Sequence, residues 1–141
     1  MPWAKQRRSL FSSVSDEWQT PSTLYAHLDT EFHFTDDPAP VGGLDGLTRH
    51  WGERTFVNPP YSQISAWVKK SYDESQRGCL VVMLIPSRTD TQWWHQYVMQ
   101  AQEIRFIKGR LRFSGAKWNA PFPSAVIVFA PRSVSLGEER G

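Results

Sequence analysis

The chain has 141 residues, 40% hydrophobic and 21% charged, with a formal net charge of +2. That is the length and balance of one globular domain, and it excludes a disordered, collagenous or strongly polyionic protein. A single cysteine, Cys79, rules out an internal disulfide and a cysteine-based zinc cluster, and no apolar run approaches the ~20 residues of a membrane span.

Residues 1–15 are polar, with Lys5, Arg7, Arg8 and four serines, and lack the apolar stretch of a secretory signal. They read as a flexible basic arm, residues 16–132 as the folded domain and residues 133–141 as a disordered tail. A reducing cytoplasm is the expected compartment.

Thr20-Pro21 predicts a helix start, with Thr20 as N-cap and Pro21 in the first turn; Leu24 and Leu28 then share a face. Phe32-His33-Phe34-Thr35 is a first strand candidate, stopped by Asp36-Asp37-Pro38. Val41-Gly42-Gly43 is a turn. Thr55-Phe56-Val57 is the next strand, ended by Asn58-Pro59-Pro60. A helix carrying Ala66, Trp67 and Tyr72 ends near Gly78, a favourable residue after a helix.

Cys79 through Ile85 is continuously apolar, as in a strand buried on both faces, and Pro86 ends it. Asp90 through Gln100 suits a helix. Glu103–Ile107 and Arg110–Phe113 read as strands around Gly109, and Ser124–Phe129 as the last strand. Helices and strands alternate, so the expected class is α/β: a compact Rossmann-like fold with a largely parallel sheet and an antiparallel edge pair.

Open α/β sheets place chemistry at the carboxyl ends of their strands, which is where Asn58-Pro59-Pro60-Tyr61 falls. These residue types suit a planar amine. The Asn58 side-chain carbonyl and the Pro59 main-chain carbonyl can both accept hydrogen bonds from it, freeing its lone pair. Pro59 and Pro60 stiffen the loop. The Tyr61 ring can stack on a flat substrate. The bland alternative is a rigid Pro-Pro turn with a capping Asn.

Four cations, Lys108, Arg110, Arg112 and Lys117, cluster late in the chain. With Arg88, the first three are candidates for phosphate contacts, and as alternate residues of a strand Arg110 and Arg112 would share a face. Trp93 and Trp94 read as core. His27, His33, His50 and His95 have no metal-ligand spacing, so no metal is expected.

Asn58-Pro59-Pro60-Tyr61 resembles the catalytic motif of amino-methyltransferases, in the Asn-first form of those acting on adenine. The wider chain is similar to the phage-type DNA N-6-adenine methyltransferase family from about Asp16 to Phe129. The resemblance is carried by Asp16-Glu17-Trp18-Gln19-Thr20-Pro21, Asp37-Pro38, Asp45-Gly46-Leu47 and Asn58 through Ser62. It continues in Arg88-Thr89-Asp90-Thr91, Gly109 through Phe113 and Ala120-Pro121-Phe122-Pro123-Ser124.

The resemblance implies S-adenosylmethionine as cofactor and DNA as partner. It also implies a flipped-out adenine as the methyl acceptor. Trp18, Thr20 and Pro21 would lie in a cofactor-contacting segment, with Asp37 at the ribose or ammonium, Asp45 at the cofactor's adenine, and Asn58 at the reacting centre.

The chain departs from most such enzymes in lacking a Gly-x-Gly after its first strand and in placing only 20 residues between Asp37 and Asn58. A second subunit completing the site, hence a homodimer, is one expectation from this shortening. A non-catalytic nucleic-acid-binding module is an alternative, as is a methyltransferase acting on RNA adenine or protein Gln.

Overall fold

Four strands, β1 (Arg54–Val57), β2 (Leu80–Pro86), β3 (Glu103–Phe106) and β4 (Ser124–Phe129), form one sheet in the order β1-β2-β4-β3. The structure is a computed structural model, described here over residues 18–39 and 45–131. The expected amino-terminal arm, the carboxyl-terminal tail from 133 and the Val41–Gly43 turn lie outside those residues.

β1 and β2 pair in parallel, with Val57 beside Met83. β4 is antiparallel to both β2 and β3. The expected antiparallel edge pair, β3 with β4, is present. The sheet is nevertheless not largely parallel, because two of its three pairings are antiparallel. Burial explains the order. All six residues of β4 are buried, so it takes a slot between two neighbours, whereas β3 exposes Glu103 and Phe106 and takes the edge.

Alternation along the strands divides the core into two layers. Val57, Val81, Met83, Ile85, Ile127 and Phe129 face helix α2 (Ile64–Gln76) and the short α3 (Gln92–Gln96). Phe56, Val82, Leu84, Val126 and Val128 face α1 (Ser22–Phe32) and the aromatic residues Phe113 and Phe122. The fold is thus a mixed α/β sandwich with the sheet in the middle.

α1 differs from expectation at both ends. Pro21, not Thr20, is its N-cap, and no side chain caps it. Phe32 belongs to the helix instead of a strand. The helix stops at His33, which takes a left-handed φ of 56° and donates its N–H to the Asp29 carbonyl. The chain then turns so that Asp36 makes a single parallel bridge to Thr55. The first strand is therefore reduced to one rung beside β1.

The expected helix over Asp90–Gln100 is broken into α3 and a 3-10 turn at Val98–Gln100. Arg110–Phe113 is not a strand. It has the period-two pattern, with Phe113 in and Arg110 and Arg112 out, but it has no ladder partner in the sheet. Its neighbour Ser114 bridges instead to Gln19. No helix of the described residues is long and apolar enough to cross a membrane.

Candidate active site

Asn58 is the first residue after β1, where the backbone leaves the sheet and its side chain is free to point across the strand ends. Its amide nitrogen donates to the Trp18 carbonyl at 2.5 Å and to the Thr20 hydroxyl oxygen at 3.0 Å. A carbonyl only accepts, so the Trp18 contact fixes the amide with its NH2 inward. The side-chain oxygen, Oδ1, then faces the other way, buried and without a hydrogen-bond partner. A buried, oriented acceptor left unmatched costs about 1–3 kcal/mol, which marks a place where a donor is expected.

The loop behind Asn58 is rigid. Pro59 is buried, and the Pro60 carbonyl accepts from Gln63 N–H at 3.0 Å to start a 3-10 turn at Tyr61–Gln63 that runs into α2. Tyr61 is half-buried and meets Phe122 edge-on at 5.6 Å. Its hydroxyl is buried and unpartnered, and burial pushes its pKa up.

An aromatic wall completes this side. Trp18 packs against Phe113 at 5.2 Å and Phe122 at 5.5 Å. Its indole N–H is another buried donor with no partner. The Trp18–Thr20 segment is held by Ser114, whose N–H donates to the Gln19 carbonyl at 2.9 Å and whose hydroxyl donates to the Thr20 carbonyl at 3.0 Å. Phe113, Phe122 and Ser114 were legible in the sequence only as parts of the motifs that contain or adjoin them. Ser87 and Ser124, at neighbouring ends of β2 and β4, also bury hydroxyls without partners.

Asp36 and Asp37 have separate tasks. Asp36 is bound by Arg49 at 2.7 and 3.0 Å and by the Gly52 N–H at 2.9 Å, and the Arg49 contact leads the causes that lower its pKa. That clamp leaves the adjacent Asp37 outside the ion pair. Desolvation raises the Asp37 pKa, a backbone hydrogen bond from Ala39 opposes this, and neighbouring Asp36 adds to the rise.

Gly46 brings the turn at Asp45–Leu47 against Pro38. A Cβ on Gly46 would sit 2.2 Å from the Pro38 carbonyl oxygen and 2.7 Å from the Trp67 ring, so only glycine permits this close approach. The Trp51 indole N–H donates to the Gly46 carbonyl at 2.7 Å and fixes it from the other side. Two segments proposed for cofactor contact, Asp37-Pro38 and Asp45-Gly46, thus touch.

A second polar cluster lies near the carboxyl end of α2, around Glu74. The Glu74 carboxylate, 2% exposed, accepts from Lys70 at 2.8 Å, the Trp51 N–H at 3.1 Å and Arg77 at 3.2 Å, with His50 at 3.1 Å. Desolvation would raise its pKa, but these bonds together hold it down at about 2.

The candidate phosphate contacts fall into two groups. Arg88, Lys108 and Arg110 are exposed. Arg112 is also exposed, yet its guanidinium donates to the carbonyls of Ala116 at 3.3 Å and Lys117 at 2.7 Å. Arg112 therefore braces a loop, and the strand geometry expected to align it with Arg110 is absent. Trp94 is buried and Trp93 packs against the core, as expected from the sequence. Among the described residues, no group of His, Cys, Asp and Glu could hold a metal ion.

The model of the family of DNA N-6-adenine-methyltransferases (Dam) matches residues 43–130, which include Asn58-Pro59-Pro60-Tyr61. The DNA N-6-adenine-methyltransferase of Escherichia phage T1 is 28% identical over 113 residues, covering 70% of this chain and 48% of that protein. The chain thus spans about half the length of the curated relative it matches. On the extent of that match, the chain belongs to the DNA N-6-adenine-methyltransferase (Dam) family.

Proposed function

We propose that this chain methylates the exocyclic amino group of adenine in DNA, using S-adenosylmethionine, on a compact Rossmann-like methyltransferase fold. The observation that carries the reading is the orientation of Asn58. Its NH2 is held by Trp18 and Thr20, and its Oδ1 is left as a buried acceptor with nothing to accept.

A planar amine needs two acceptors to become a nucleophile. Oδ1 of Asn58 accepts a hydrogen bond from one of its N–H groups and the Pro59 carbonyl accepts from the other. The nitrogen's lone pair is then no longer conjugated with the ring. Because Asn58 is already fixed, little reorganisation remains when charge develops. The adenine must leave the duplex to reach these atoms. The aromatic wall beside Asn58 offers apolar surface to the extruded ring, with Tyr61, the last residue of the motif, packed against it through Phe122.

The donor set also fits the cofactor. Asp37 and Asp45 are carboxylates that can accept from its ammonium, ribose hydroxyls or ring amine, and the Trp18 N–H is a buried donor without a partner. When bound, S-adenosylmethionine supplies an activated methyl group. Trp18, Thr20 and Pro21 would line its methionine end, with the Thr20 hydroxyl also spent on Asn58. Arg88, Lys108 and Arg110 would contact phosphates, with Arg112 in a supporting place.

Nucleoside mass spectrometry of unmethylated DNA incubated with the protein and S-adenosylmethionine tests this. The expected product is 6-methyladenine, lost with Asn58→Ala. Methyl transfer to RNA adenine alone, or transfer undiminished by Asn58→Ala, would overturn it.

A further inference from the structure

The connection from β3 to β4 carries a residue that the reading above leaves without a task. Trp118 is 76% exposed, the most exposed large apolar side chain among the described residues. It has no ring partner there. Exposing an indole this fully forfeits the burial that gives Trp most of its stabilising value.

The loop that holds it up is built. Arg112 donates to the carbonyls of Ala116 and Lys117, the two residues just before Trp118. The Ala120 N–H donates to the Leu111 carbonyl at 2.7 Å and closes the base. Gly115 takes a φ of 81° to make the turn. Phe113 and Ala120 on the inner side are buried, at 2% and 3%. Trp118 is thus the outward tip of a pinned tongue whose inward face is the aromatic wall beside Asn58.

The connection that carries it is basic in sequence. Between β3 and β4, from Ile107 to Pro123, the chain carries Lys108, Arg110, Arg112 and Lys117 and no Asp or Glu. A large flat apolar group among cations fits a polyanion with a stacked apolar interior, which is a nucleic-acid duplex. Apolar side chains of this kind enter base steps and offset the cost of unstacking.

We propose that Trp118 is a wedge that inserts into duplex DNA beside the adenine being extruded, with Arg112 bracing the loop behind it. The proposal rests on the adenine reading of the Asn58 site. An anionic membrane surface would suit the same side chains, but the loop's inner face forms a wall of that site, which favours the substrate of the site.

The test uses sheared, unmethylated genomic DNA, either native or heat-denatured, so that no target sequence need be known. Methyl transfer by wild type, Trp118→Phe and Trp118→Ala is compared on both forms. A wedge that offsets unstacking should make Trp118→Ala lose about tenfold more activity on native than on denatured DNA, with Trp118→Phe between. Equal losses on the two forms, or no loss, overturn the wedge and leave the methyltransferase reading standing.

Absence of transfer by the wild type on either form sinks that reading instead. Insertion is then judged by indole emission. Quenching by duplex DNA that disappears in Trp118→Phe supports the wedge. No Trp118-dependent quenching with duplex, or a blue shift only with phosphatidylglycerol vesicles, overturns it.

Discussion

The Thr20 hydroxyl accepts a hydrogen bond from the Asn58 amide at 3.0 Å, across 38 positions of sequence. A residue that reads as a helix cap is thereby spent on holding the proposed catalytic amide. Thr20→Val removes the acceptor and keeps the shape. A hydrogen bond of this kind is worth about 0.5–1.5 kcal/mol, so kcat should fall up to about tenfold. Thr20→Ser should restore most of it. Steady-state kinetics with melting curves checks both, and an unaltered kcat in Thr20→Val would free Asn58 from this dependence.

Tyr61 carries a buried hydroxyl with no partner. Tyr61→Phe deletes that hydroxyl, so its stability should equal or exceed that of the wild type, by up to about 1 kcal/mol. Methyl transfer should persist, because the ring is kept. Tyr61→Ala removes the contact with Phe122 and should cost about 2 kcal/mol or more along with most activity. Urea melts and initial rates on the two variants separate ring from hydroxyl.

Gly46→Ala places a methyl group 2.2 Å from the Pro38 carbonyl. The two segments proposed to face the cofactor must then separate. We expect a loss of about 2 kcal/mol in stability and a loss of about tenfold or more in affinity for S-adenosylmethionine. Calorimetry with the cofactor measures the second effect. Unchanged affinity would detach Asp45 from the cofactor.

Glu74 has a folded-state pKa of about 2, below the ordinary carboxylate value of about 4.3 in an unfolded chain. A depressed pKa contributes stability that is full above the unfolded value and is lost as pH falls toward the folded one. Glu74→Gln should therefore be less stable than wild type by about 2 kcal/mol at pH 7, and the gap should close between about pH 5 and pH 2. Chemical denaturation across that range checks the sign.

Replacing Lys108 and Arg110 together by Gln should weaken DNA binding evenly across sequences and lower the slope of log affinity against log salt by about one per lost phosphate contact. An unchanged slope would return both to ordinary surface charge.

The strongest strands were plain in the sequence. Ser124–Phe129 matches its predicted bounds, and Cys79–Ile85 is displaced by one residue from β2, because continuous apolar runs have few alternatives to a central slot. Asn58 likewise follows directly from its place after an apolar strand. Beyond the antiparallel edge pair, pairing could not be read. Arg110–Phe113 has the alternation of a strand but no neighbour to ladder with, and its end bridges to Gln19 instead. Phe32 looked like strand because an aromatic pair flanks His33, while the helix runs through to it and turns only at His33. The Asn58–Thr20 and Gly46–Pro38 contacts join distant segments, and local propensity says nothing of such meetings.

Among the described residues, the last strand in chain order occupies an inner position of the sheet, and β3 has no other strand to rest on. During synthesis, β1 and β2 can pair early, but the edge hairpin, the tongue and the wall that closes on Asn58 must wait for residues 124–129 to leave the ribosome. The wall beside Asn58 therefore forms only once β4 has paired, through non-local contacts that form slowly. A cleavage that removes β4 would leave an exposed apolar edge on β2.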